Sequence, residues 1–348
     1  MDTLTPRERW LAVLRHETPD RLPMGFWGTT ETKQKLMQHL ACDNELVMQE
    51  KLHIDPIITL KPRYVGPPLD ANTNMYGSRF KQITYQGGIY DECVTHPLEH
   101  YQTVDEIEDS YTWPSVDWFD YSVIGEQLNE KERYPIQGGG SEPFLIYCEL
   151  RGLEQAYMDL ITNREMVDYC LDKLFDFAYE DTVRIYEQAD GQVTYSYIAE
   201  DFGSQDSLLF SPRIIREVMI PRMKRMMDLA HESGVYVFFH SDGAIRPIIS
   251  DMIEAGIDIL NPIQWRSPGM ERDGLQRDFG EQVIFHGGVD NQYTLPFGTP
   301  DEVRDEVITN VEIFGKSGGY ILAPCHNIQA VSPVDNIIAM YETGYEIG

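Results

Sequence analysis

The second half of the chain repeats one pattern: a short apolar run, a tight cluster of polar residues, then a helical stretch. Val193–Ile198 runs into Glu200 and Asp201, and Val235–Phe239 runs into His240, Ser241, Asp242 and Gly243. Ile257–Leu260 ends at Asn261, Pro262 and Gln264. Val283–Phe285 ends at His286, Gly287, Gly288 and Asp290, and Tyr320–Ala323 ends at Pro324, Cys325, His326 and Asn327. Strands alternating with helices imply a parallel sheet, and in a (β/α)8 barrel the chemistry sits where the strands end. βα turns are often polar for turn geometry alone. Five successive strand ends carrying Asp, Glu, His, Asn and Cys instead predict one convergent site.

A length of 348 residues would suit two or three domains, yet one α/β barrel of this size is ordinary, so residues 1–348 are expected to form a single domain. No apolar stretch approaches the roughly 20 residues of a membrane span, and Met1 to Arg15 is charged and amphipathic. Five scattered cysteines form no CxxC pair, which fits a reduced, cytoplasmic compartment. The net charge of −29, from 28 basic and 57 acidic residues, opposes nucleic acid and anionic membranes as partners.

Thr5, Pro6 and Glu8 form a capping box with Pro at the first helical position, and Trp10, Leu11 and Leu14 follow at helical spacing. An N-terminal helix ending near His16 is expected to pack one face on the body. Leu22–Trp27 and Ile57–Leu60 read as the first two strands. Residues 61 to 134 lose the rhythm and are rich in Pro, Gly, Asp and Tyr. They contain a hairpin signal, Gln82–Tyr85 and Ile89–Cys93 around Gln86-Gly87-Gly88. With too few apolar residues for its own core, this segment is expected to be an excursion over the barrel mouth. Rhythm returns at Pro135–Gly138, followed by helices across about 143–188.

His240 and Asp242, two apart at a strand end, share a face. Such groups are costly at the end of a buried strand unless they bind each other or a ligand, so they read as a satisfied pair, metal ligands or acid–base residues. Of Glu200 and Asp201, one should point inward as ligand or base and the other should cap the turn. Of Cys325 and His326, at most one should enter the site, and either is a competent zinc ligand. His286 and Asp290 flank a Gly pair that permits close backbone approach, and rank as substrate contacts. Asn261, Gln264 and Trp27 join them. Gly138-Gly139-Gly140 lacks the remainder of a phosphate-loop motif. The chain also lacks GxSxG and HExxH.

Through Pro6-Arg7-Glu8-Arg9, Asp20-Arg21-Leu22-Pro23, Phe239-His240-Ser241-Asp242-Gly243, Gly287-Gly288-Val289-Asp290 and the stretch from Gly318-Gly319-Tyr320 to Asn336, the chain resembles the uroporphyrinogen decarboxylase superfamily over almost its whole length. The resemblance implies a (β/α)8 barrel and one of two chemistries. These are cofactor-free decarboxylation of a tetrapyrrole and zinc-dependent methyl transfer involving a corrinoid or a thiol. The decarboxylases carry an arginine-bearing segment after the first strand. Here that stretch is Met24-Gly25-Phe26-Trp27-Gly28-Thr29-Thr30, without arginine, which opposes an octacarboxylate substrate unless Arg63, Arg133 or Arg151 reaches the mouth. The methyltransferase metal motif is His-x-Cys with a distant Cys; here it becomes His240-x-Asp242, with His326 beside Cys325 at the distant position. Such a site is richer in oxygen and nitrogen, suited to polarising an ether or phenol oxygen.

The resulting expectation is a zinc-dependent methyltransferase of O-demethylase type, taking a methyl group from a small ether or amine and passing it to a corrinoid on a partner protein. Glu200, His240, His326 and Cys325 are the candidate metal ligands. Asp201, Asp242 and His326 are the candidate catalytic groups, and Trp27, Asn261, Gln264, His286 and Asp290 the candidate substrate contacts. The alternatives are a metal-free carboxy-lyase acting on a tetrapyrrole or a smaller acid, and a non-catalytic small-molecule binder. The resemblance also carries the expectation of a homodimer.

Overall fold

The computed structural model describes residues 2–85 and 88–348. Among these residues, its centre is a seven-stranded parallel sheet whose strands lie side by side in chain order. They are β1 (Ile58–Thr59), β2 (Ile136–Ser141), β3 (Tyr195–Ala199), β4 (Tyr236–His240), β5 (Ile259–Asn261), β6 (Ile284–Val289) and β7 (Tyr320–Pro324). Helices link successive strands, as parallel pairing requires. The strands from β3 to β7 are apolar almost throughout because both faces are covered. The sheet curls until a short segment spans its two edges. Met24 forms a parallel bridge with Leu322 of β7, and its carbonyl accepts a 2.9 Å hydrogen bond from Asp55 N, just before β1. The architecture is an α/β fold of TIM-barrel-like form.

The expected strand Leu22–Trp27 shrinks to isolated bridges at Met24 and Gly28. Pro23 has no N–H for the ladder. Gly25 lies so near the barrel interior that a Cβ there would sit 2.9 Å from His286 Nε2.

The first helix, α1 (Pro6–Leu14), carries the full Thr5–Glu8 capping box. It plugs the sheet instead of lying on its outer face. Trp10, Val13 and Leu14 cluster with Tyr195, Phe238, Ile259, Ile284 and Ile321, the inward residues of β3 to β7. Trp10 stacks on Tyr195 at 5.5 Å between ring centroids. The larger core lies between the outward strand faces and the surrounding helices. Around the closing segment, Asp55 accepts hydrogen bonds from Arg9, Arg21 and Met24 N, while Asp20 binds Arg9.

Arg79–Tyr85 pairs antiparallel with Gly88–Thr95, giving the expected hairpin; Gln86 and Gly87 of its turn lie outside the described residues. The excursion leans mostly on the outer helical wall. Its helices Val104–Ser110 and Ile124–Leu128 contact the long helix Arg164–Ala189, and the hairpin contacts the helix Pro143–Arg151. At the strand ends it contributes Lys61, Pro62, Met75 and Tyr76. Among the described residues, no helix is long and apolar enough to cross a membrane.

Candidate metal centre at the strand ends

Parallel register sets Ala199 beside His240 and His240 beside Asn261. Inward side chains recur every second residue. The column Phe238–His240 therefore continues to Asp242, and Tyr195–Tyr197–Ala199 continues to Asp201. The two loops carrying the aspartates touch through glycines: a Cβ on Gly203 would lie 2.4 Å from Asp242 O, and one on Gly243 2.2 Å from Ser204 O. Phe202 N donates to Ser241 Oγ at 2.9 Å, and Asp242 N donates to Asp201 Oδ1 at 3.0 Å. This contact explains why Gly follows the His-Ser-Asp run.

Asp201, His240 and Asp242 each present one ligand atom, all within 4.8 Å of one another. His240 Nε2 lies 3.9 Å from Asp201 Oδ1 and 4.0 Å from Asp242 Oδ1. His326 Nε2 lies 3.7 Å from Asp242 Oδ2. Both histidines have their other nitrogen engaged: His240 Nδ1 donates to Asn261 Oδ1 at 2.6 Å, and His326 Nδ1 donates to Asn327 Oδ1 at 2.6 Å. Each ring thus turns its Nε2 towards carboxylate oxygens. Such facing is favourable when a proton on Nε2 or a metal cation lies between the groups. Bonds of about 2.1 Å to a tetrahedral zinc would set ligand atoms about 3.4 Å apart, about 0.3–0.6 Å closer than these histidine–carboxylate distances. The donor set fits a divalent cation, with His240, Asp201 and Asp242 as holders and His326 beside them.

Asn261 also donates through Nδ2 to His286 Nδ1 at 2.7 Å, so one amide fixes the protonation of two rings. Gln264 Nε2 donates to Asp242 Oδ1 at 2.8 Å, and its Oε1 accepts from Gly243 N. Burial pushes the Asp242 carboxyl up to about 6, assisted by the charge of Asp201 and opposed by His240. Burial pushes His286 down to about 3, with His240 adding to the shift. Burial also lowers His326, partly offset by Asn327 and Asp201.

Below the cluster lies a cavity of about 480 Å³, lined by Trp27, Tyr195, Tyr197, Phe238, Asn261 and His286 among others. Trp27 packs over His326 at 4.5 Å and His240 at 5.9 Å between ring centroids. Trp27, Asn261 and His286 line this space, and the polar atoms of Asn261 are taken up by the histidines.

Three expected residues are engaged elsewhere. The Cys325 thiol is buried and donates to Ile263 O at 3.0 Å, because adjacent residues face opposite ways and His326 takes the inward direction. Glu200 turns away from Asp201 and accepts from Phe144 N at 2.9 Å, at the start of the helix Pro143–Arg151. Burial holds its carboxyl well above the usual range. Asp290 binds Arg266 Nε at 2.7 Å and caps the turn at Gln292, Tyr293 and Thr294. Gln264 orients Asp242 rather than lining the cavity. Sequence reading missed Tyr197, which packs 5.6 Å from His240 between ring centroids, and Glu142, raised to about 7 by burial and by the charges of Asp201 and Glu149. The strand alternation that selects His240 could have found Tyr197; Glu142, beyond a strand and before a proline, carried no such signal.

With this curled sheet and strand-end site in view, residues 102–347 match the uroporphyrinogen decarboxylase (URO-D) family, and the chain belongs to that family of enzymes. A curated relative, a uroporphyrinogen decarboxylase from Neisseria gonorrhoeae, is 25% identical over 219 residues, covering 62% of this chain and 55% of the relative. The chain thus matches little more than half the length of that protein. Among solved structures, a methyltransferase from Methanosarcina mazei superposes with a TM-score of 0.70 at 20% identity, over 99% of each chain. A B12-independent methionine synthase from Shewanella aligns over 65% of this chain and 66% of its own, at 11% identity and a TM-score of 0.42.

Proposed function

We propose that this enzyme is a zinc-dependent methyltransferase that moves a methyl group from a small ether or amine to a corrinoid carried by a partner protein. We read the Met24 segment as the eighth strand of a (β/α)8 barrel. The observation that carries the proposal is the facing of His240 Nε2, Asp201 and Asp242, with the Nδ1 of His240 occupied by Asn261. The fold-level likeness to a protein named as a methyltransferase supports it.

Zinc held by His240, Asp201 and Asp242, with His326 adjacent, would supply Lewis acidity to the heteroatom that loses the methyl group. Asn261 keeps the His240 proton on Nδ1, so that Nε2 stays a donor of electrons. Gln264 fixes one oxygen of Asp242. The cavity would position the donor beneath the cluster, with Trp27, Tyr197 and Phe238 on its walls.

A carboxy-lyase reading is favoured by the Neisseria relative. None of the arginines on which a polycarboxylate substrate would depend lines the cavity below the cluster. Arg63 pairs with Asp120, Arg151 is buried against Asp159, and Arg133 lies over the Tyr134 ring at 5.3 Å. Of the two lysines on the cavity wall, Lys33 pairs with Glu45 at 2.9 Å, so a smaller acid is the substrate this reading would require.

Metal analysis of purified protein tests the proposal. About one equivalent of zinc is expected, lost in His240→Ala, with affinity about 10–100-fold weaker in Asn261→Leu. Chelation should abolish activity and added zinc restore it. Less than half an equivalent, unchanged in His240→Ala, or full activity after chelation, overturns the metal-dependent reading in favour of the lyase.

A further inference from the structure

A second cavity, of about 360 Å³, lies between the end of β2, the helix Arg164–Ala189 and the excursion. It meets the cavity below the metal cluster at Gln137, Tyr197 and Lys61, which line both. Its size falls within the roughly 300–1,000 Å³ of small-molecule sites.

Two carboxylates face this space, and they differ in how they are satisfied. Asp181 accepts a 2.6 Å hydrogen bond from Tyr121 at Oδ1. Glu142 forms no hydrogen bond or ion pair among the described residues. Next to Glu142, Ser141 Oγ lines the same cavity without a partner, on a residue 9% exposed. Lys61 stands on the rim, yet no ion pair joins it to either carboxylate among the described residues. Apart from Gln137, the remaining walls are apolar, aromatic or glycine backbone, including Phe177, Tyr76 and Tyr197.

These features constrain the ligand. A carboxylate among largely apolar walls is costly until it takes up a proton or a cation compensates it. An anion would meet Glu142 and Asp181 unfavourably, a neutral ligand would leave them to protonation, and a cation would stabilise them ionised. A small, strongly hydrated metal ion gains nothing from aromatic and aliphatic walls, whereas an alkylammonium does, through its methyl groups and through attraction to ring faces.

We propose that the cavity behind Tyr197 is a binding site for an organic ammonium cation, the non-reacting, amine-bearing end of an ether methyl donor. The role as donor rests on the methyl-transfer reading above; the binding does not. Ser141 would accept or donate a hydrogen bond to a polar group beside the ammonium, and Tyr197 separates that end from the metal cluster.

Calorimetric titration of the full-length, zinc-supplemented protein tests this with choline and its neutral carbon isostere, 3,3-dimethylbutan-1-ol. Choline should bind, and the isostere at least about tenfold more weakly. Glu142→Gln, nearly isosteric, should weaken choline about tenfold or more while keeping its zinc and its thermal unfolding profile, and Asp181→Asn should weaken choline by less. His240→Ala should lose zinc and retain choline binding. Equal affinity for choline and the alcohol, or unchanged choline binding in Glu142→Gln, overturns the cation site and leaves the metal reading intact. Choline binding that depends on Glu142 in a protein holding no zinc upholds the cation site while the methyl-transfer reading fails.

Discussion

Asn261 connects two histidines of opposite fate. Through Oδ1 it leaves His240 able to offer Nε2 to a ligand; through Nδ2 it holds His286 as a neutral, buried ring. The second contact has a consequence for stability. His286 in the folded chain titrates near 3, whereas an unfolded histidine titrates near 6.5. As pH falls through 6.5 the unfolded state takes up the proton and the folded state does not. The stabilisation present above pH 6.5 is therefore lost progressively towards pH 3, by up to about 1.4 kcal/mol per unit. Urea unfolding followed from pH 7 to 4 should show this slope in the wild type and a shallower one in His286→Gln. Parallel slopes would remove His286 as the cause.

At the scale of elements, the loop after β3 splits two neighbouring acids between different tasks. Asp201 faces the cluster and Glu200 supports the start of the helix Pro143–Arg151 through Phe144 N. Glu200→Gln keeps an acceptor for that N–H and removes a buried carboxyl, so its stability should change by less than about 1 kcal/mol. Glu200→Ala strands the donor and should cost about 1–3 kcal/mol. Both variants should retain the metal content of the wild type. Metal loss in Glu200→Gln would return this residue to the ligand set. The pair of loops around Gly203 and Gly243 is the other element-level device, since backbone in van der Waals contact is what brings Asp201 within reach of Asp242.

For the whole molecule, closure of the curled sheet depends on residues far from the site. Asp55 collects Arg9 from α1, Arg21 before the closing segment and the backbone of Met24. It explains the Arg-Glu-Arg and Asp-Arg-Leu-Pro segments near the N-terminus as a clamp between plug, edge and first strand. Asp55→Ala would leave two largely buried guanidinium groups without this partner, and should cost about 3–5 kcal/mol, measured as a shift of the urea midpoint. A change below about 1 kcal/mol would show that the closure is held by apolar packing around Trp10 and Met24 instead. The net charge of −29 acts on this same scale. It gives Arg9, Arg21 and Arg151 abundant carboxylate partners, and in the fold these arginines are spent on internal pairs.

Local order was legible wherever it repeats. Apolar runs ending in polar clusters located β3 to β7, the capping box located α1, and two-residue alternation put His240 and Asp242 on one face. These follow from neighbours along the chain, which sequence records directly. It could not decide between Glu200 and Asp201, or between Cys325 and His326, because alternation fixes that adjacent residues diverge without saying which points inward. Register between strands and the depth of each loop made that choice, turning Asp201 and His326 inward and giving Glu200, Cys325 and Asp290 to Phe144, Ile263 and Arg266. The plug formed by Trp10, the Asn261 bridge and the carboxylates behind Tyr197 join positions tens to hundreds of residues apart, so only the closed sheet brings them together.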